Sequence, residues 1–161
     1  MNWKMLGVFL LGFGSCAVMV FGFGTELEVP FTGLGVVSWE SGEISAPSDY
    51  LSEEDIVVSD DRVILRIKGV TLSSYADSGS MVPVLDEGAN GIRVVPLSED
   101  DIEVGDIVSF RMLGVLVVHR VVEKGVDEDG IYFIVKGDAN LVGDGRIRFR
   151  DIEYKTVGII Y

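Results

Sequence analysis

The sequence predicts an all-β domain of short antiparallel strands that follows one N-terminal transmembrane helix. After residue 54, short apolar segments rich in Val and Ile alternate with turn-forming clusters of Gly, Asp and Ser. No long segment there has the 3.6-residue apolar period of an α-helix. Residues 5–25, in contrast, carry no charge at all. We therefore divide the chain into a cytoplasmic N-terminus (1–4), a transmembrane anchor (5–24), a linker or arm (25–54) and a β domain (55–161).

The apolar segment 5–24 has the length that a membrane helix needs, about 20 residues. Lys4 precedes it, and Glu26 and Glu28 follow it. Because positive flanks stay in the cytoplasm, the rest of the chain is expected outside. This predicts a single-pass protein of the cell membrane whose C-terminal domain is extracytoplasmic.

Three other interpretations of this segment are possible. A cleaved signal peptide, which would give a soluble secreted protein, usually has a shorter apolar core of about 7–15 residues. A lipoprotein signal would be cut at Cys16, but the preceding residues 13–15 fit that pattern poorly and apolar sequence continues beyond the cysteine. A buried core helix would normally show a polar face, which is missing. We expect a retained anchor, with a cleaved signal peptide as the next alternative.

The β domain is predicted from periodicity and turn residues. The arm before it is rich in Gly, Ser, Pro and Glu and has no clear period. Leu113-Gly114 is predicted as the turn of a hairpin, and polar turns are expected at 59–61, 98–101 and 124–130. The predicted strands are, in order, 56–58, 62–70, 92–97, 106–112, 115–122, 131–135, 147–149 and 157–161.

Composition excludes several functions for the 161 residues of the chain. The formal net charge of −13 argues against nucleic acid as a partner, since phosphate binding requires a basic face. Cys16 is the single cysteine, so no intramolecular disulfide can form. His119 is the single histidine, which makes a zinc site improbable. We expect neither a metal nor a cofactor.

A serine peptidase remains chemically possible. The short polar segment 78–83 has the composition of a loop, although such segments are most often solvated turns. A Ser hydroxyl becomes nucleophilic when a neighbouring base removes its proton, and His119 is the natural base. A third group, Asp138 or Asp144, would hold the imidazole. Each residue also has an ordinary structural explanation, because a histidine in an apolar strand and an Asp beside Gly are common without catalysis.

Four motifs occur in an order that resembles one family. They are Ser-Gly-Ser-Met-x-Pro at 78–83, Gly-Asp-Ile-Val at 105–108, Val-His-Arg-Val at 118–121, and Lys-Gly-Asp-x-Asn at 136–140 with a further Asp at 144. Together with the N-terminal anchor, this pattern resembles the type I signal peptidases of archaea and the endoplasmic reticulum. The resemblance covers roughly residues 65–161. The bacterial branch has a Lys as its base where this chain has a His, so the chain resembles the Ser-His-Asp branch.

The resemblance implies a role for each matching residue. Ser80 matches the nucleophile and His119 the general base. Asp144 matches the acidic residue paired with the histidine, and Asp138 matches the acidic residue of the Gly-Asp motif, which supports the site; the two Asp roles are not separable from the motifs alone. The Ser80 backbone N–H and the Ser78 hydroxyl would be the oxyanion donors.

The activity implied is that of a membrane-anchored serine endopeptidase that cleaves signal peptides from secreted preproteins. Its partners would be preproteins, membrane lipid and the protein translocation machinery. The sequence departs from the family in a longer stretch at 86–103 and in Ala139, which stands where Asn is usual. A divergent peptidase with a different substrate is therefore an alternative. Others are a non-catalytic, membrane-tethered β module that binds a partner, and a self-cleaving repressor-type peptidase, although that group resembles a Ser-Lys pattern and lacks an anchor.

Overall fold

The computed structural model describes residues 44–161, and this part of the chain is all-β with antiparallel pairing throughout. The strands are β1 (Ile56–Val58), β2 (Val63–Leu65), β3 (Thr71–Ser74), β4 (Asn90–Val94), β5 (Ile107–Met112), β6 (Val115–Asp127), β7 (Gly130–Lys136), β8 (Arg146–Ile147) and β9 (Ile152–Ile160). Short 3-10 helices span Glu53–Asp55, Glu99–Asp101 and Phe149–Asp151. The prediction of all-β, antiparallel structure is confirmed.

The predictions for residues 1–43, including the cytoplasmic N-terminus, the anchor, most of the arm and Cys16, lie outside the described residues. Within residues 44–161 we find no helix that is both long and apolar enough to cross a membrane.

Seven of the strands form one sheet in the order β3-β4-β9-β5-β6-β7-β8, and β1 pairs with β2 in a separate two-stranded sheet. The edges of the large sheet are β3 and β8. The stretch 86–103, which is longer than the family resemblance leads one to expect, contains β4. That strand lies between β3 and β9, so the stretch is part of the sheet itself.

The two faces of β5 contribute to two hydrophobic clusters, because successive side chains of a strand point to opposite faces. Val108 and Phe110 belong to the larger cluster, which β6 and β7 complete with residues such as Phe133. Ile107 packs on the other face against Met81 and Leu85. Burying such a side chain contributes about 1.5–3 kcal/mol. The second cluster therefore ties the loop that follows β3 to the face of the sheet.

The hairpin of β5 and β6 forms where the sequence predicts it. Met112 pairs with Val115, and the two residues between them both have positive φ, 51° at Leu113 and 83° at Gly114. Two positive φ values are characteristic of the tight hairpin turn whose twist matches that of the strands. The hairpin sets the register that brings His119 opposite Val108.

The turn predicted at 124–130 is present, but it is much shorter than predicted. Strand β6 continues to Asp127, which pairs with Gly130, so the turn is only two residues long. Gly125 lies opposite Tyr132, and a Cβ there would come within 2.5 Å of the tyrosine ring. A glycine inside this strand therefore makes room for an aromatic neighbour and does not end the strand.

Other strand boundaries also differ from the prediction. The strand predicted over 62–70 is limited to Val63–Leu65, and Gly69 lies in a turn with a left-handed φ of +65°. The predicted strand 147–149 ends at Ile147, because Phe149 starts a 3-10 helix. Strand β4 begins two residues before the predicted position and ends earlier, whereas β9 begins five residues early. Strand β3 was not predicted, because it is a short polar segment at an exposed sheet edge.

The described end of the arm lies against the β domain. A Cβ on Gly105 would come within 2.0 Å of the carbonyl oxygen of Ala46, and φ at Gly105 is +103°, so this close approach requires glycine. The backbone N–H and the hydroxyl of Ser48 both donate to Asp106, at 2.8 and 2.9 Å. Lys155 completes this buried group by donating to Ser48 and to Asp106.

Candidate active site

Ser80 lies in the loop between β3 and β4, directly after Gly79, whose φ is +65°. Its carbonyl oxygen accepts a hydrogen bond of 2.9 Å from the backbone N–H of Ala139. The next residue, Met81, is buried in the smaller hydrophobic cluster. Ser80 is therefore held from both sides: its backbone is bonded to the loop after β7, and its neighbour is anchored in the sheet.

His119 is brought against Ser80 by strand β6. Its Nε2 is 3.2 Å from Ser80 Oγ, and its Nδ1 is hydrogen-bonded to Oδ2 of Asp144. The His119 side chain is only 7% exposed, and its ring centroid lies 6.1 Å from that of Phe110. When Nδ1–H donates to the carboxylate, the lone pair of Nε2 faces the hydroxyl of Ser80. This is the orientation that a general base for a serine nucleophile requires.

The carboxylate on His119 is therefore that of Asp144, which resolves the choice between Asp138 and Asp144. The backbone N–H of Asp144 donates to Val135 O at 2.9 Å, so the loop after β7 folds back beside its own strand. The Asp144 side chain is 21% exposed. It can orient the imidazole and stabilise its positive charge while part of the carboxylate stays in water.

Asp138 is engaged elsewhere and does not contact His119. The Arg120 guanidinium donates two hydrogen bonds to its carboxylate, Nε to Oδ1 at 2.8 Å and Nη2 to Oδ2 at 2.7 Å. The two side chains are 5% and 4% exposed, and a further bond of 2.8 Å links Arg120 to the carbonyl of Gly105. Asp138 precedes Ala139, whose N–H holds the Ser80 carbonyl. The ion pair therefore positions the loop that supports Ser80.

Arg120 is a site residue that sequence reasoning missed. It follows His119 in the same strand, so its side chain leaves on the other face. An arginine inside an apolar strand requires a buried acceptor, and the Lys-Gly-Asp-x-Asn motif offers one in the carboxylate of Asp138. That requirement is the signal that would have identified the pair.

The two proposed oxyanion donors lie in one loop. Ser78 Oγ is 3.1 Å from Ser80 Oγ and also accepts from the Ser80 backbone N–H at 3.4 Å. In this arrangement the N–H and the hydroxyls bond to one another. A substrate carbonyl would have to replace that internal bond to be held by the same groups.

A cavity of about 400 Å³ opens beside Ser80 on the sheet face that carries the smaller cluster. Met81 and Val118 contribute apolar surface, and Ser109 and Arg93 contribute polar groups. Tyr75 also lines it, with its hydroxyl 3.2 Å from the Thr156 hydroxyl. The cavity is large enough for one or two side chains of a peptide whose scissile bond lies at Ser80. Among residues 44–161 we find no group of three or more His, Cys, Asp or Glu side chains that could hold a metal ion.

Ser80, His119 and Asp144 are therefore hydrogen-bonded in sequence on an antiparallel β domain, which is the geometry of a Ser-His-Asp arrangement. No protein-family model matches the chain, and no curated protein matches its sequence.

Proposed function

We propose that this protein is a membrane-anchored serine endopeptidase of the signal-peptidase type, which cleaves signal peptides from secreted preproteins. The observation that carries the proposal is the contact of Ser80, His119 and Asp144. Ser80 is 39 residues from His119, and Asp144 lies 25 residues beyond it, so a chance meeting in the order nucleophile, base and acid is improbable. The four ordered motifs support the same proposal.

The reaction begins when Ser80 Oγ attacks the scissile carbonyl carbon while His119 Nε2 takes the hydroxyl proton. The negative charge that develops on the carbonyl oxygen would be held by the Ser80 N–H and the Ser78 hydroxyl, once these give up their internal bonds. Such donors contribute about 2.7–4 kcal/mol each in a serine peptidase. The protonated imidazole then gives its proton to the leaving amine. Water, activated by the same imidazole, hydrolyses the acyl-enzyme.

The substrate is proposed from the predicted anchor and from the sheet edge. Enzyme and preprotein held in one membrane would meet at a raised effective concentration. An extended peptide can add to an exposed strand edge, and β3, which leads into the Ser80 loop, is an edge of the large sheet. The family resemblance implies small side chains just before the cleaved bond and association with the translocation machinery.

The test is cleavage of a secreted preprotein by the full chain in detergent. Ser80→Ala and His119→Ala should each abolish cleavage while circular dichroism reports an unchanged fold. Ser59→Ala removes a hydroxyl from an exposed turn and is the matched control that should retain full activity. Full activity of Ser80→Ala or His119→Ala would refute the mechanism. A folded wild type that binds preprotein but never cuts it would favour the tethered binding module.

A further inference from the structure

Arg93 lies in the cavity beside Ser80, and the proposed mechanism does not use it. It belongs to β4, where it pairs with Thr71 of the edge strand β3 on one side and with Thr156 of β9 on the other. Its side chain is half-buried. A positive charge is thus held on the floor of the site where a peptide side chain would enter.

The guanidinium of Arg93 makes no side-chain hydrogen bond and no ion pair within residues 44–161. No carboxylate in that part of the chain lies within salt-bridge distance of it, and no acceptor there receives a hydrogen bond from it. Its Nε is the one buried side-chain nitrogen or oxygen without a partner among the described residues. The chain carries 26 acidic residues against 13 basic ones, so carboxylates are abundant. A buried donor that stays unpaired in such a chain costs free energy and requires an explanation.

Tyr154 supports the guanidinium from one side. The Cζ atom of Arg93 lies 4.2 Å from the centre of the tyrosine ring. Stacking on an aromatic face fixes the plane of the guanidinium, and its two Nη groups, which also lack a hydrogen bond within residues 44–161 and are not buried as Nε is, are left to face an acceptor. The acceptor that matches this flat fork of donors best is a carboxylate, which takes two parallel bonds.

We propose that Arg93 forms a subsite for an Asp or Glu side chain of the substrate, close to the bond that Ser80 cleaves. This inference rests on the proposed peptidase function, which supplies the peptide. Ser73, directly across from Gly91 and also in the cavity, lies on the edge strand along which that peptide would run. A side chain pointing from that edge into the cavity would reach the floor where Arg93 lies. The many carboxylates on the protein surface would repel acidic substrates elsewhere, so the preference would be confined to one substrate position.

The preference can be measured by binding, without any cleavage. The full chain carrying Ser80→Ala in detergent is titrated with short fluorescent peptides from the cleavage region of a preprotein. Each peptide has one Asp, placed at a different position, and is compared with its Asn twin, which has the same shape and the same termini. We expect one position at which the Asp peptide binds about three- to tenfold more tightly. Twins that bind equally at every position would overturn the inference.

Two changes at Arg93 test whether it is responsible. In the Ser80→Ala chain, Arg93→Gln should remove the preference, and Arg93→Glu should transfer it to a peptide with Lys at the same position. A purely structural role of Arg93 cannot produce that reversal. Arg150→Gln is the control, since Arg150 is exposed and does not line the cavity. An Asp preference that survives Arg93→Gln in a folded protein would refute the assignment.

The peptidase function and this subsite can fail separately. If the wild-type chain cleaves no peptide but the Ser80→Ala chain still prefers the Asp peptide through Arg93, the subsite stands and the proposed catalysis fails. If cleavage depends on Ser80 but ignores the charge of the peptide, the proposed function stands and the subsite is refuted.

Discussion

Asp138→Asn should destabilise the whole β domain without altering Ser80, His119 or Asp144, the residues proposed for the chemistry. The substitution removes the charge that compensates Arg120, a guanidinium whose side chain is 5% exposed. Its bonds to the carbonyl oxygens of Gly105, at 2.8 Å, and Ser45, at 3.4 Å, would remain. The amide of Asn can accept only one of the two bonds that the carboxylate now receives. A buried cation would then lack its counter-charge.

The size of the effect follows from this burial. Removing one partner of a buried ion pair costs about 3–5 kcal/mol. Domains of this size are stabilised by about 5–15 kcal/mol in total, so the loss is a large share of the free energy of unfolding. At roughly 3 °C per kcal/mol, the melting temperature should fall by about 10–15 °C.

The assay is thermal unfolding of the full chain in detergent, followed by circular dichroism. Asp144→Asn is the matched control, because it makes the same chemical change on a carboxylate that is 21% exposed. It should lower the melting temperature by much less. The double variant Asp138→Asn with Arg120→Met removes both charges and should recover part of the loss, since the cost arises from the charge left behind.

A melting temperature of Asp138→Asn within about 2 °C of the wild type would refute this reasoning. So would a double variant that is less stable than the single one. Either result would mean that water reaches Arg120 or that the loop after β7 moves at little cost.

Three further predictions concern the site and its surroundings. Asp144→Asn should lower the turnover number by about 10⁴-fold with little change in peptide binding, because His119 loses the carboxylate that orients it; equal loss of binding would contradict this. The hydrogen bond from Arg148 holds the pKa of Asp127 below its usual range. The stabilisation from this bond is fully present above the pKa of the unfolded carboxyl, about 4, and is lost as the pH falls through the lower pKa of the folded state. Asp127→Asn should therefore make the free energy of unfolding depend less on pH in acid. Gly137→Ala should reduce activity and cost about 1–3 kcal/mol of stability, since the new Cβ would lie 2.5 Å from the carbonyl oxygen of the proposed nucleophile; an unchanged activity would show that this loop yields easily.

Local sequence patterns were sufficient to predict the hairpin at the centre of the sheet. The hairpin of β5 and β6 has apolar alternation on both strands and two residues suited to a tight turn between them. Its register, with His119 opposite Val108, follows from that turn length. Strand β3 escaped prediction because it is polar, lies at an edge and is stabilised by pairing with β4. The two strands are separated by the 15 residues 75–89, so their pairing cannot be seen in a local sequence pattern.

The same limit applies to the site. Ser80 and His119 could be named in advance because the chain has one histidine and a loop motif that resembles a nucleophile loop. Arg93 could not be named in advance, because an arginine in a short strand with a polar end looks like an ordinary surface residue. Its unpaired guanidinium becomes apparent only when β4 lies beside the Ser80 loop and Tyr154 lies beneath it.

The choice between the two aspartates has a physical cause that the motifs do not contain. His119 and Arg120 are consecutive in β6, so their side chains leave on opposite faces, and the loop after β7 supplies one carboxylate to each. Arginine carries a permanent charge, so the carboxylate that is 4% exposed, Asp138, must be the one it holds. A neutral imidazole could not compensate a carboxylate buried that deeply, but it can share one that remains 21% in contact with water. With the partners exchanged, the buried carboxylate of Asp138 would face a neutral imidazole and would lack a counter-charge. The pairing of Asp144 with His119 is therefore enforced by the cost of the alternative.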